Sequence, residues 1–148
     1  MENKMITLRL DPKLEQNINN VAAQMGISRS ELMRRSITEF IRTNKSELIT
    51  TLASMTEVLH LLDFNRNAQI DFLAWANAGA IAIEPITIGD LLKIKNLTIK
   101  YADLPMDFAD ACLVFLGEKL NINKVATIDR DFDIFRLNGK QPFTTFIQ

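Results

Sequence analysis

Apolar and polar residues alternate strictly close to the beginning of the chain, over residues 5–10. The apolar side of this alternation consists of Ile6, Leu8 and Leu10, and the other side of Met5, Thr7 and Arg9. A period of two residues predicts a β-strand with one face for a core and one face for solvent or a ligand.

The apolar spacing then changes to three and four residues, which predicts two consecutive helices. Asp11 suits the N-cap of a first helix over Pro12–Met25. Gly26 suits the left-handed residue that ends such a helix. Ser28 and Glu31 have the spacing of a capping box, so we expect a second helix to begin there.

One strand and two short helices do not bury both apolar stripes by themselves, and a lone strand has no pairing partner. A twofold dimer in which two copies of the strand pair antiparallel would satisfy both needs. The polar face of that two-stranded ribbon fits the major groove of DNA. Residues 1–45 are therefore predicted to form an intermolecular β-ribbon dimer that binds double-stranded DNA.

This segment resembles the ribbon-helix-helix family (CopG, MetJ, Arc and the antitoxins built on them) over residues 4–43. The most recognisable piece is Gly-Ile-Ser-Arg-Ser-Glu-Leu. The resemblance implies base contacts from the ribbon and phosphate contacts at the start of the second helix, with no cofactor required. The predicted DNA-binding residues are Met5, Thr7, Arg9, Ser28, Arg29 and Ser30. Arginine bonds bidentately to guanine, and helix N-termini attract phosphate. Arg34 and Arg35 fit a solvated helix face instead.

Strand and helix patterns alternate through residues 46–148. Strands are predicted at about 48–51, 80–84, 125–128 and 143–147, and helices at about 52–63, 67–78, 88–101 and 107–120. This order is typical of an α/β unit with a parallel sheet and helices on both faces. Ligands of such sheets bind at the carboxyl ends of the strands.

Acidic residues collect at the predicted strand ends and helix starts. Asp129 and Asp131 follow a buried strand, Asp107 and Asp110 begin a helix one turn apart, and Glu57 lies among apolar neighbours. Carboxylates gathered in this way repel one another unless a divalent cation lies between them, and their hard oxygens suit Mg²⁺ or Mn²⁺. A metal held so can position a water for attack on a phosphodiester.

Residues 47–147 are similar to the PIN domain of VapC-type toxins. The similar stretches are Leu-Ile-Thr-Thr, Met-Thr-Glu-Val-Leu-His-Leu-Leu, Asp-Leu-Pro-Met-Asp-Phe-Ala-Asp-Ala and Val-Ala-Thr-Ile-Asp-Arg-Asp-Phe. The resemblance implies catalytic roles for Glu57, Asp110 and Asp129. It also implies metal ligands among Glu57, Asp107, Asp110, Asp129 and Asp131.

PIN domains begin with a central strand that ends in a metal-binding aspartate, and no such element precedes Leu48. Asp11 is interpreted as a helix cap. We therefore predict a truncated PIN-like domain over residues 46–148 that lacks its first strand and its first acidic residue. Metal affinity depends on the number and charge of the ligands, so nuclease activity is expected to be weak or absent.

The charge distribution agrees with two modules. Residues 1–45 carry a net charge of +3 and residues 46–148 a net charge of −4. A single cysteine fits a reducing compartment, and no apolar run reaches the length of a membrane span, so we expect a cytoplasmic protein that does not bind membranes.

The prediction is a homodimeric or tetrameric DNA-binding regulator of the toxin–antitoxin type, which represses its own promoter and has a PIN toxin as a further partner. One alternative is a Mg²⁺-dependent ribonuclease toxin with a fused DNA-binding domain. The other is an interaction protein that sequesters a PIN toxin. Sequence alone leaves all three open.

Overall fold

A five-stranded parallel sheet forms the centre of the chain in a computed structural model, which describes residues 3–6, 12–29, 31–32, 35–36, 39, 47–104, 106–127 and 130–145. Its strands, in the order in which they lie side by side, are β3, β2, β1, β4 and β7. Their bounds are β1 Asn3–Ile6, β2 Glu47–Thr51, β3 Ile81–Glu84, β4 Lys124–Ala126 and β7 Thr144–Thr145.

The middle strand of this sheet is β1. It pairs in parallel with β2, where Met5 lies opposite Ile49, and with β4, where Met5 lies opposite Val125. The prediction that the PIN-like sheet lacks its first, central strand is therefore wrong. It relied on the absence of a strand ending directly in aspartate, but strand pairing depends on backbone N–H and C=O groups, which every residue here supplies.

In this single chain, β1 does not form the predicted antiparallel ribbon. Both edges of β1 are hydrogen-bonded to strands of the same chain, and both pairings are parallel. The ribbon dimer stays a prediction. The division after residue 45 also stays a prediction, and the sheet contains strands from both sides of it.

The first predicted helix is confirmed, as α1 over Pro12–Met25. Gly26 follows it with φ of +64°, the left-handed value that the sequence predicted. The Ser28 hydroxyl oxygen accepts a hydrogen bond from the backbone N–H of Glu31 at 3.1 Å, which is one half of the expected capping box. Helical residues follow at positions 29, 31, 32, 35, 36 and 39.

The later helices are also confirmed, with ends shifted by a few residues. They are α2 Leu52–Leu61, α3 Arg66–Trp75, α4 Leu91–Lys100 and α5 Phe108–Leu120. Short single turns cover residues 76–80, 88–90 and 130–133. None of the helices among the described residues is long and apolar enough to cross a membrane.

Apolar side chains cover both faces of the sheet. Ile49 and Val125 pack with residues of α4 and α5 on one face, whereas Leu48 and Ala126 pack towards Phe72 and Trp75 on the other. Consecutive residues of a strand point to opposite faces, which explains this division. Helix α5 is almost fully buried from Ala109 to Gly117, so its sequence is apolar nearly all round.

A small antiparallel hairpin, absent from the predicted elements, joins β5 (Arg136–Leu137) to β6 (Gln141–Pro142). Asn138 and Gly139 turn the chain with φ of 50° and 71°. Asn-Gly is the dipeptide that tolerates this conformation best, so it was the signal in the sequence from which the hairpin could have been predicted. Phe132 packs edge-to-face against Phe135 and Phe143 beside the hairpin.

Candidate active site and nucleic-acid interface

A cavity of about 750 Å³ lies between α2, the segment after β3 and the start of α5. Two of the predicted carboxylates, Glu57 and Asp107, line it together. The other lining residues are Leu52, Ala53, Thr56, Ile86, Thr87, Ile88, Leu91, Phe108 and Ala109. The fold thus brings together side chains that are 50 positions apart in the sequence.

Glu57 is positioned by the transition from β2 to α2. Thr51 is the last residue of β2 and the N-cap of α2, and its hydroxyl oxygen accepts the backbone N–H of Ser54 at 3.3 Å. The hydroxyl groups of Thr51 and Ser54 lie 3.2 Å apart, and both residues are buried. This cap sets where the helix begins, and hence which residue of α2 reaches the cavity.

Asp107 and Asp110 form a reciprocal capping box at the start of α5. The Asp107 carboxylate accepts the Asp110 backbone N–H at 2.8 Å, and the Asp110 carboxylate accepts the Asp107 backbone N–H at 3.3 Å. Asp110 is 2% exposed, whereas Asp107 is half-buried and lines the cavity. The predicted pairing of these residues one turn apart is confirmed, and both side chains cap backbone N–H groups at the N-terminal end of α5.

The structure says less about the two remaining predicted metal ligands, Asp129 and Asp131. Asp131 lies in the turn of residues 130–133, where its backbone carbonyl accepts from Ile134 and Phe135, and Asp129 lies outside the described residues. Within the described part of the chain, no three His, Cys, Asp or Glu side chains are grouped closely enough to hold a metal ion. The five-carboxylate metal site stays a prediction.

The donor chemistry of the cavity suits a hard cation only in part. Carboxylate oxygens of Glu57 and Asp107 are the ligand type that Mg²⁺ and Mn²⁺ take. Two carboxylates from the described residues do not make up a complete protein site for such a cation.

The apolar rim of this cavity was not predicted from the sequence. The side chains of Ile88, Leu52 and Phe108 are 89%, 66% and 56% exposed, respectively. An available signal was that Leu52 and Phe108 are the first residues of their helices and lie outside the buried stripe. The rim makes the entrance of the acidic cavity hydrophobic.

Cys112 is close to this site but is not arranged as a nucleophile. Its side chain is fully buried in α5. Burial, with a further contribution from the negative charge of Asp107, raises the pKa of the thiol to about 11. A neutral thiol is a poor nucleophile, so Cys112 acts as a core residue.

The predicted DNA-binding residues fall partly outside the described chain. Thr7, Arg9 and Ser30 lie outside it, and Met5 belongs to β1. The Arg29 guanidinium lies 4.2 Å from the centroid of the Phe64 ring. In this chain, therefore, Arg29 packs against the segment between α2 and α3.

Comparison with known families connects these features. Residues 25–136, about three quarters of the chain, match the family described as PIN domain. The chain belongs to the PIN domain family. In this PIN protein, residues 4–44 also match the family described as ribbon-helix-helix protein, copG family. No match was found among curated proteins.

The two family matches overlap over residues 25–44. PIN domains belong to a nuclease superfamily and commonly use divalent metal ions. Ribbon-helix-helix domains bind DNA and usually dimerise. The chain of this PIN protein therefore combines a DNA-binding family with a nuclease superfamily, and residues 25–44 are common to both matches.

Proposed function

We propose that this PIN protein is a homodimeric DNA-binding regulator of the toxin–antitoxin type, whose PIN domain has weak or no nuclease activity. The observation that carries the proposal is the match of residues 4–44 to the ribbon-helix-helix family. Helix α1, the left-handed Gly26 and the Ser28 cap give this segment the local geometry that such a domain needs.

Charge and sequence support the same function. Residues 1–45 are basic in an otherwise acidic chain, which favours binding to the phosphate backbone. Asp11 is the first carboxylate after β1 in the sequence, and with Asp11 interpreted as the N-cap of α1 the predicted metal site lacks the aspartate that follows the first strand of an active PIN domain. A site with fewer carboxylates holds a divalent cation less tightly.

DNA binding is tested by fluorescence anisotropy with DNA from the region upstream of the protein's own coding sequence. Arg9→Ala is expected to weaken specific binding by about 1–3 kcal/mol, because arginine reads guanine bidentately, while the dimer stays intact. Unchanged operator affinity in Arg9→Ala contradicts the assignment of the ribbon as the reading element.

Arg35→Ala is the matched control for the loss of a positive charge. Arg35 Nε lies 2.6 Å from the Glu31 carboxylate, and its side chain is 57% exposed. An exposed ion pair of this kind contributes little, so we expect a change in affinity of less than about threefold. A loss as large as that of Arg9→Ala would indicate binding through general charge rather than through the ribbon.

A metal-dependent ribonuclease is the second candidate, and the placement of Glu57 and Asp107 in one cavity favours it. Incubation with RNA and Mn²⁺ tests it, with Asp129→Asn as the variant and the exposed Asp133→Asn as the matched control. Cleavage that persists in Asp133→Asn but is lost in Asp129→Asn supports the nuclease. No cleavage by the unmodified protein supports a regulator with an inactive PIN domain.

A further inference from the structure

Strand β1 lies in the middle of the sheet, but its sequence is not typical of a central strand. Central strands of a parallel sheet are covered on both faces and are typically continuous apolar runs. Neighbouring β2 is covered on both faces, since its residues 48–51 (Leu-Ile-Thr-Thr) are all buried, and none of them carries a charge. The residues of β1 are Asn3-Lys4-Met5-Ile6, which include a polar and a charged residue, and the sequence after them continues the alternation of residues 5–10. Strict alternation is typical of a strand with one solvent-facing side.

Strand pairing makes the two arrangements incompatible. A strand has two hydrogen-bonding edges, and β1 uses one for β2 and the other for β4. A ribbon with a second copy of the chain needs one of these edges. The ribbon-helix-helix match begins at Lys4, and the predicted ribbon of residues 5–10 shares Met5 and Ile6 with β1, so both arrangements require these two residues.

We propose that β1 is a shared strand with two mutually exclusive pairings: parallel within its own PIN sheet, or antiparallel with β1 of a second copy. The inference rests on the proposed function, because the second pairing is the DNA-binding ribbon. A chain whose β1 is in the PIN sheet does not bind the operator through that strand. A chain bound to the operator has a PIN sheet without its middle strand.

Mass action decides between the two states. The intrachain pairing is independent of concentration, whereas the ribbon requires two chains and is stabilised further by DNA. Low protein concentration therefore favours the complete PIN sheet, and high concentration together with operator DNA favours the ribbon. The shared strand thus couples the amount of protein to which of its two domains is assembled.

A reversible disulfide between β1 and β2 tests the proposal directly. Lys4 and Leu48 are opposite each other in neighbouring strands. Strands lie about 4.8 Å apart, within the Cα separation of about 4.4–6.8 Å that disulfides bridge. Lys4→Cys with Leu48→Cys, in a Cys112→Ala background that removes the native thiol, locks the intrachain pairing on oxidation.

The oxidised protein is expected to remain monomeric and to lose at least about tenfold in operator affinity, because its binding-competent state is removed, and reductant should restore both. The matched control is Leu48→Cys with Ile81→Cys, which links β2 to β3 and leaves β1 untouched. Its oxidised and reduced forms should bind DNA equally. Equal binding by both forms of the β1–β2 pair overturns the proposal.

Hydrogen exchange of the unmodified protein covers the case in which the cysteine variant does not fold. Loss of β1 removes partners of the backbone groups of β2 and β4, so peptides over Glu47–Thr51 and Lys124–Ala126 should exchange faster at saturating operator DNA. Peptides of α5 serve as the internal control. Exchange in β2 and β4 that is unchanged or slower with DNA overturns the proposal.

Failure of the proposed function can be separated from failure of this inference. If the unmodified protein binds no DNA, the regulator proposal fails, and the shared strand is then tested with protein alone over about a hundredfold range of concentration. A dimer that appears together with faster exchange in β2 supports strand sharing. A chain that remains monomeric throughout, with β2 protected, overturns it.

Discussion

Met5 lies opposite Ile49 in a parallel strand pair, which joins segments from the two sides of the predicted domain division. A parallel pair needs a long crossover connection. Helix α1 and the helical residues between positions 29 and 39 lie in that connection. Residues 25–44, where the two family matches overlap, also lie within this crossover between β1 and β2.

The capping role of Asp107 can be separated from its place in the cavity. Asp107→Ala removes the cap of α5 and is expected to lower the free energy of unfolding by about 0.5–2 kcal/mol. Asp107→Asn keeps a side-chain oxygen that accepts the Asp110 N–H, so its loss should be smaller, although both variants remove the same charge. Urea denaturation measures the difference. Equal destabilisation by the two variants would show that the hydrogen bond contributes nothing.

Burial of Cys112 predicts slow reaction with thiol reagents. With the pKa raised from 9.0 to about 11, the thiolate fraction at pH 8 is about a hundredfold lower than in the unfolded chain. Alkylation by iodoacetamide at pH 8 should therefore be at least that much slower in native protein than in denaturant. Rapid native labelling would contradict the burial of this side chain.

The same pKa shift predicts a loss of stability in alkaline solution. The thiol of the unfolded chain releases its proton around pH 9, and the native thiol only around pH 11. The native state therefore binds more protons in this window, and the free energy of unfolding falls as the pH rises from 9 to 11. Cys112→Ala should show a shallower fall over this window in urea titrations. An identical fall would assign the alkaline loss to other groups.

Gly26 is required by its backbone conformation rather than by space. Its φ is +64° and nothing lies within 4 Å of an added Cβ. Gly26→Ala is expected to destabilise the protein by about 1–2 kcal/mol, because the left-handed conformation is unfavourable for alanine. Gly89→Ala is the control, since its added Cβ meets only the Thr87 hydroxyl at 3.7 Å. Thermal unfolding compares the two variants, and equal melting temperatures would show that the turn relaxes.

Local features were predictable where the signal lies within a few residues. The bounds of α1, the positive φ of Gly26 and the Ser28 cap all depend on neighbours in sequence. The start of α5 at Asp107 was predictable for the same reason, since Asp110 is one turn away. Hydrogen bonds between positions three or four apart form whenever the helix forms, whatever the rest of the chain does.

The pairing of β1 was not predictable by the same means. Periodicity reports that a segment is extended and which of its faces is apolar, but it does not identify the partner strands. Those partners, β2 and β4, are about 40 and 120 positions away. The expectation of a sheet without a middle strand failed because it treated a missing aspartate as a missing strand.

By itself, the sequence determined the helices, their caps and turns, and the presence of residues from two families in one chain, because these depend on side chains close together along the backbone. Only the tertiary structure decided that β1 lies between β2 and β4, and that Glu57 and Asp107 line one cavity with a hydrophobic rim. Those relationships depend on which surfaces bury one another. The packing of the whole chain determines which surfaces bury one another, because the apolar faces of the strands and helices are removed from water only when they pack against each other.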